Sequence, residues 1–250
     1  MALLLVLFLG VALGMCIVGL LLVLHFLRVG RVEEKRKARR SAEDSLPAER
    51  FESKVASLPS RWLAVRHVAP PMVQQALGLH NPALCTWEEG VSAIRDRKLF
   101  ISPPVGEWVL VFGSNLPDPA EDVDKCFRFL LDLSRKLGEV QFFSLNRQLS
   151  HHAWVHIESG YVHRAYAWAG KTLWNQGRMT RPEMELGLRC YEYAMLPDRG
   201  QPGQPDPMSR NTEKLPLLAS RWSIDPASIN PQLLGATPGI TGELSRSIIH

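Results

Sequence analysis

HHAWVHIESGYVHRAYAWAGKTLWNQ, residues 151–176, is the stretch on which the fold turns. Apolar and polar residues alternate along it, aromatic and β-branched side chains recur, and Ser159-Gly160 and Gly170-Lys171 interrupt it. Period-two alternation marks half-buried strands, and a two-residue break containing glycine marks a hairpin turn. The reading is a β-meander with strands over 151–158, 161–169 and 172–176, preceded by one over 140–145.

A two-residue turn at Ser159-Gly160 sets a register. Glu158 then faces Tyr161, Ile157 faces Val162, and His156 faces His163. Because side chains alternate across a strand, His152, Trp154 and His156 share one face, with His163, Ala165, Ala167 and Trp174 beside them. Ala153, Val155, Ile157, Val162, Arg164, Tyr166, Trp168 and Leu173 take the other. Trp154, His156, His163 and Trp174 are therefore the candidate binding residues, an aromatic and histidine-bearing surface.

Cross-strand histidines about 5 Å apart at Cβ suit a divalent metal or a pH sensor. His152 lies about 13 Å further along the strand and cannot share an ion with His156. No third ligand is nominated, so neither a metal site nor a cofactor is assigned. Arg164 in mid-strand and Glu107 beside Trp108 are the charged residues expected to be partly buried. A buried charge needs an opposite partner, so both are candidates for ion pairing.

Upstream, Pro70-Pro71 opens a short helix closed by Gly78, and Thr86-x-x-Glu89 is a capping box that starts a helix to about Arg97. Apolar runs at 98–102 and 107–112, separated by Pro103-Pro104 and Gly106, read as strands. Asp118-Pro119 opens the longest helix; Val123, Cys126, Phe127, Leu130, Leu131, Leu133 and Leu137 keep helical spacing and Gly138 ends it. Thr180-x-x-Glu183 is a second capping box, leading a helix to about Ala194. Helices flanking hairpin-linked strands give an α+β fold with an antiparallel or mixed sheet.

Past residue 196 the texture changes: 197–250 hold 8 of the 18 prolines, and the last dozen residues read as disordered. Leu215 to Trp222 is an apolar island in this tail. Leu217, Leu218 and Trp222 are expected to dock it, over about 215–230, on the domain or on a partner.

Ala2 to Leu27 is an apolar run of 26 residues without Lys, Arg, Asp or Glu. As a helix it measures about 39 Å, enough to span a hydrocarbon core of about 30 Å. No basic residue precedes it and it is too long for a signal peptide, so a signal-anchor is expected. Arg28, Arg31, Lys35, Arg36, Lys37, Arg39 and Arg40 follow it. By the positive-inside rule they place the rest of the chain in the cytoplasm, at the cell (inner) membrane. Gly10-x-x-x-Gly14 within the run offers a surface for homo-oligomerisation. The organisation is an anchor over 1–27, a basic linker over 28–57, a domain over 58–196 and a Pro-rich tail over 197–250.

The net charge of +4 comes mostly from the linker: residues 28–54 hold 9 basic and 6 acidic residues, a net of +3. A nearly neutral domain does not fit nucleic-acid binding, which needs cations against phosphate. No phosphate loop, dinucleotide fingerprint, nucleophile elbow, zinc-protease motif or C-x-x-C occurs. The function expected is a membrane-anchored cytoplasmic binding protein with a protein partner and no catalytic motif. The alternatives are a hydrolase of unfamiliar type using meander histidines, with or without a metal, and a structural subunit of a membrane complex.

Overall fold

The computed structural model describes residues 60–195, 207–234 and 237–244. The expected anchor, Gly10 and Gly14, and the basic linker lie outside the described residues. Among those described, no helix is long and apolar enough to cross a membrane.

One sheet of nine strands forms the middle layer: β1 (Arg61–Arg66), β2 (Leu79–Cys85), β3 (Leu99–Ile101), β4 (Trp108–Phe112), β5 (Glu139–Asn146), β6 (His151–Glu158), β7 (Tyr161–Trp168), β8 (Thr172–Gln176) and β9 (Gly239–Leu244). The spatial order is β2-β9-β3-β4-β1-β5-β6-β7-β8, and every pair is antiparallel. The helices are α1 (Pro70–Leu77), α2 (Trp87–Ala93), α3 (Val123–Leu137), α4 (Arg181–Glu185) and α5 (Pro207–Trp222). The fold is thus α+β with an antiparallel sheet.

Each face of the sheet carries its own core. On the first, Leu63, Val65, Val111, Phe142 and Val155 meet Val73 and Leu77 of α1 and Cys126, Leu130 and Leu133 of α3. On the second, Trp62, Phe112, Phe143, Trp154 and Tyr166 meet Leu215, Leu218 and Ala219 of α5, with Trp87 of α2 at one side. Both capping boxes form, at Thr86–Glu89 and Thr180–Glu183. The second opens only five residues of helix rather than a run to Ala194. The N-cap of α3 is Asp122 rather than Asp118, whose carboxylate instead accepts from Ala120 N in the turn before it.

The meander strands lie where expected, and the Ser159-Gly160 turn has both residues at positive φ, the geometry that matches strand twist. The register beyond it differs. His156 pairs with Arg164, not His163, because β7 carries an extra residue between the Ile157–Val162 and His156–Arg164 pairs. One inserted residue reverses every side chain that follows. Arg164, Tyr166 and Trp168 therefore join Trp154 on the second face, while Ala165, Ala167 and Trp174 go to the first. Trp154 and Trp174 do not share a surface. Gly177 packs directly on the bulge: a Cβ there would lie 2.1 Å from the His163 carbonyl oxygen. The next turn is also longer than expected, with three residues between Trp168 and Thr172.

Described residues past 196 join the same fold, and 239–244, within the last dozen, form a strand. α5 packs on the sheet, and β9 lies between β2 and β3, supplying backbone partners to both. Its sequence, Gly-Ile-Thr-Gly-Glu-Leu, carries too few bulky side chains to read as a strand. It fits because Gly239 sits against the Phe100 ring, where a Cβ would fall 2.4 Å from a ring carbon. Removing β9 leaves β2 without its neighbour and exposes the β3 edge. A chain ending at residue 236 should lose the cooperative thermal unfolding that circular dichroism shows for the full chain.

Candidate functional site

The second face of the sheet holds the chemistry, and it divides into a buried network and a partly exposed end. In the buried network the bulge turns Arg164 inward, to 1 % exposure, against Glu183, which is 0 % exposed. Arg164 Nε donates to Glu183 Oε1 at 2.8 Å, and Trp154 Nε1 donates to the same oxygen at 2.8 Å. Glu183 Oε2 accepts from Thr180 N and Thr180 Oγ1. Arg164 Nη1 donates to the Ala165 carbonyl and Asn175 Oδ1, and Nη2 lies 3.1 Å from Cys190 Sγ. Burial pushes the Cys190 thiol up to about 12, so it is protonated and inert at neutral pH. Every carboxylate oxygen and every guanidinium nitrogen of the pair has a partner, the condition under which buried charges are tolerated. This network organises structure and offers nothing to a substrate.

The expected Arg164 ion pair thus exists, with Glu183 as its partner. Glu107 is not partly buried: it is exposed, and pairs with Arg66 at 2.9 Å. That hydrogen-bonded guanidinium holds the Glu107 carboxyl below its ordinary range. Glu107 sits at the end of a tight β-turn, where Trp108 rather than the carboxylate faces the sheet.

His152 is also buried. Its Nδ1 lies 3.0 Å from the Ser150 carbonyl and its Nε2 3.2 Å from Asn211 Nδ2 on α5. The amide donates to Nε2, so the ring is neutral with its proton on Nδ1. Burial lowers its pKa to about 4.

At the other end lie His156 and His163, whose ring centroids are 5.1 Å apart. The expected proximity is present even though the register is not, because the bulge brings His163 alongside Arg164. His156 Nε2 is 3.1 Å from Glu139 Oε1, and His163 Nε2 is 3.3 Å from Glu158 Oε2. Desolvation lowers the pKa of His156 against the opposing pull of Glu139. Glu139 also accepts from Arg66 Nη1 at 3.2 Å and from Gln141 Nε2 at 3.2 Å. Gln141 Nε2 donates as well to the carbonyl of Trp222, whose ring lies 5.7 Å from His156. Tyr161, exposed, meets His163 edge-on at 5.0 Å. One buried atom here lacks a protein partner, Gln141 Oε1. Gln141 faces His156 across β5 and β6.

Of the four candidate binding residues, His156 and His163 are brought together at a reachable surface. Trp154 and Trp174 are buried on opposite faces of the sheet, Trp154 in the ion-pair network and Trp174 edge-on to Phe127 of α3 at 5.4 Å. Among the described residues no three His, Cys, Asp or Glu side chains are placed to hold a metal ion. The docking segment behaves as two halves: Leu218 is buried, Trp222 half-buried and Leu217 exposed, because helical spacing turns position 217 outward. Arg66, Glu139 and Gln141 complete the cluster and were not anticipated. Gln141 and Glu139 alternate with apolar residues in β5, a signal that placed them on a face without saying what they meet. Glu183 was read as a cap, and its second oxygen carried no mark of Arg164.

Two outcomes follow from this geometry. Glu183→Ala leaves the Arg164 guanidinium buried without its counter-charge, and should cost about 3–5 kcal/mol in urea unfolding. His152, with a folded pKa of about 4 against 6.5 unfolded, takes up its proton more readily in the unfolded chain. Its contribution is complete above pH 6.5 and is lost as pH falls toward 4, about 3 kcal/mol in all. In His152→Gln the stability difference between pH 7 and pH 4.5, from denaturant midpoints, should shrink by about 2–3 kcal/mol.

No family model matches this sequence, and comparison with curated proteins and with solved structures finds no match, so what the domain does has to come from its own side chains.

Proposed function

We propose that this chain is a single-pass membrane protein whose domain faces the cytoplasm and binds a protein partner without catalysing a reaction. The observation that carries the binding half is the buried and unpartnered Gln141 Oε1, facing His156 beneath a partly exposed row of His163, Tyr161 and Trp222. Buried polar atoms without partners cost about 1–3 kcal/mol each, and a bound group that satisfies them recovers that. The surrounding rings and charged residues are the mixture found at protein interfaces, aromatic at the centre and polar at the rim. Arg66 at the edge adds a guanidinium already stacked over Trp108 at 5.7 Å.

The membrane half rests on the apolar run 2–27 and the seven cations that follow it. Gly10 and Gly14 within that run supply the small-residue surface for homo-oligomerisation.

Installing a photo-crosslinking residue by Tyr161→benzoylphenylalanine should give a discrete protein adduct in native membranes. The same probe by Met72→benzoylphenylalanine, on the α1 side of the sheet, should give none. Adding His163→Ala should reduce the Tyr161 adduct about tenfold, the effect of losing one central contact. An adduct indifferent to His163, or none at all, overturns the site. Alkaline carbonate should leave the chain in the membrane pellet, and protease added to intact cells should spare residues 60–244.

A further inference from the structure

The charge of the domain is not evenly spread over its surface. α3, on the first face, carries Glu121, Asp122, Asp124 and Asp132 before and along it, balanced by Lys125, Arg128, Arg135 and Lys136. The outer side of α4 and α5 is different. Arg210, Lys214, Leu217 and Arg221 recur at helical spacing and form one stripe along α5. The inward stripe, with Asn211, Leu215, Leu218 and Ala219, is buried on the sheet, and this second stripe runs along the flank of α5 that borders α4.

α4 lies beside it and extends the same surface. Lys214 Nζ donates to the Leu186 carbonyl at 2.6 Å, and Arg221 Nη1 pairs with Glu185 at 3.3 Å. Arg181 pairs with the same carboxylate at 2.6 Å and is 86 % exposed. Arg189 is tied to α5 through Asn211, which accepts from its N–H and donates to its carbonyl. Four cations, Arg181, Arg210, Lys214 and Arg221, thus stand on this surface beside two carboxylates, Glu185 and Glu213. Between them project two large apolar side chains, Met184 at 59 % exposure and Leu217 at 53 %. Neither is needed by the core.

Cations flanking exposed aliphatic tips are the chemistry of a surface that rests on anionic headgroups: phosphates meet guanidinium and ammonium groups while the apolar tips enter the acyl boundary. We infer that the outer surface of α4 and α5 docks on an anionic lipid membrane. The inference rests on the membrane reading above for its occupant. Only 32 residues, 28–59, separate the apolar run from Ser60. A chain of that length spans at most about 110 Å even fully extended, which bounds how far an inserted chain can carry residue 60 from the headgroups. The basic linker draws on the same lipids, and the two patches act together. Arg181 and Arg221 share Glu185, which holds their guanidinium groups in place at the surface without cancelling both charges.

The test uses the full chain carrying Leu217→benzoylphenylalanine, mixed with vesicles of phosphatidylcholine alone or with about 30 % phosphatidylserine, a composition that sets the surface potential. Flotation reports association and photolysis reports what position 217 touches. Phospholipid adducts should form in the anionic vesicles and fall at least about tenfold in neutral ones. The triple variant Arg210→Gln, Lys214→Gln, Arg221→Gln should reduce them by a similar factor with an unchanged circular dichroism spectrum. Raising the salt should do the same in the unaltered chain, which keeps the test decisive if the triple variant fails to fold. Met72→benzoylphenylalanine should give no lipid adduct. A chain that floats with both vesicles but labels no lipid from 217, or labels it equally in both, overturns the docking surface and leaves the anchor standing. Flotation and labelling only with anionic vesicles overturn the anchor and support the surface. A chain that floats with neither overturns both, and a protein adduct from 217 in native membranes in place of a lipid one overturns the surface.

Discussion

A guanidinium taken wholly out of water decides how the second half of this domain is built. Arg164 costs several kcal/mol to desolvate, and that cost is offset only if its charge and all its N–H groups find partners. They come from four separated places: Glu183 at the start of α4, Asn175 on β8, the backbone at Ala165, Gln176 and Gly177, and Cys190 beyond α4. Satisfying one side chain therefore ties β7, β8 and α4 together and brings the 188–191 segment under α5. Trp154 enters through the same carboxylate oxygen, so the ion pair also fixes the ring around which the second core packs.

The bulge in β7 is what makes that possible. Without the extra residue Arg164 would lie on the first face among Val155, Ile157 and Val162, with no carboxylate to meet. With it, the same residue turns to the second face and His163 is pushed to the rim beside His156. One inserted backbone unit thus produces both the buried network and the accessible histidine pair. Gly177 is required where β8 ends, since no Cβ fits against the bulged carbonyl.

α5 is held at each end by a histidine of β6. His152 accepts from Asn211 near its start, and His156 lies against Trp222 at its finish. The two histidines occupy the same strand and the same face, yet one is sealed and neutral while the other borders solvent between two glutamates. The helix they bracket presents an apolar stripe to the sheet and a basic one along the flank beside α4. Its inner surface completes a core and its outer surface remains available to a partner of opposite charge.

Much of this was legible in the residues themselves. Turn chemistry at Ser159-Gly160, two capping boxes and the spacing of α3 specify local structure, because each depends on neighbours within a few positions. The meander, the antiparallel sheet and the nearness of His156 to His163 follow from them. What escaped depends on contacts made far along the chain. β2 contains Asn81 and Pro82 and β9 has two glycines, so neither declares itself; each is a strand because a neighbour supplies its hydrogen bonds. α5 contains Pro216 and is helical because its inward stripe is buried. The faces of Trp154 and Trp174 turned on a single bulged residue that no local pattern marks, and Glu183 became the partner of Arg164 only when two elements, 19 residues apart, closed on each other. Local propensity determined the pieces, while the need to satisfy buried charge and open strand edges decided how they were joined.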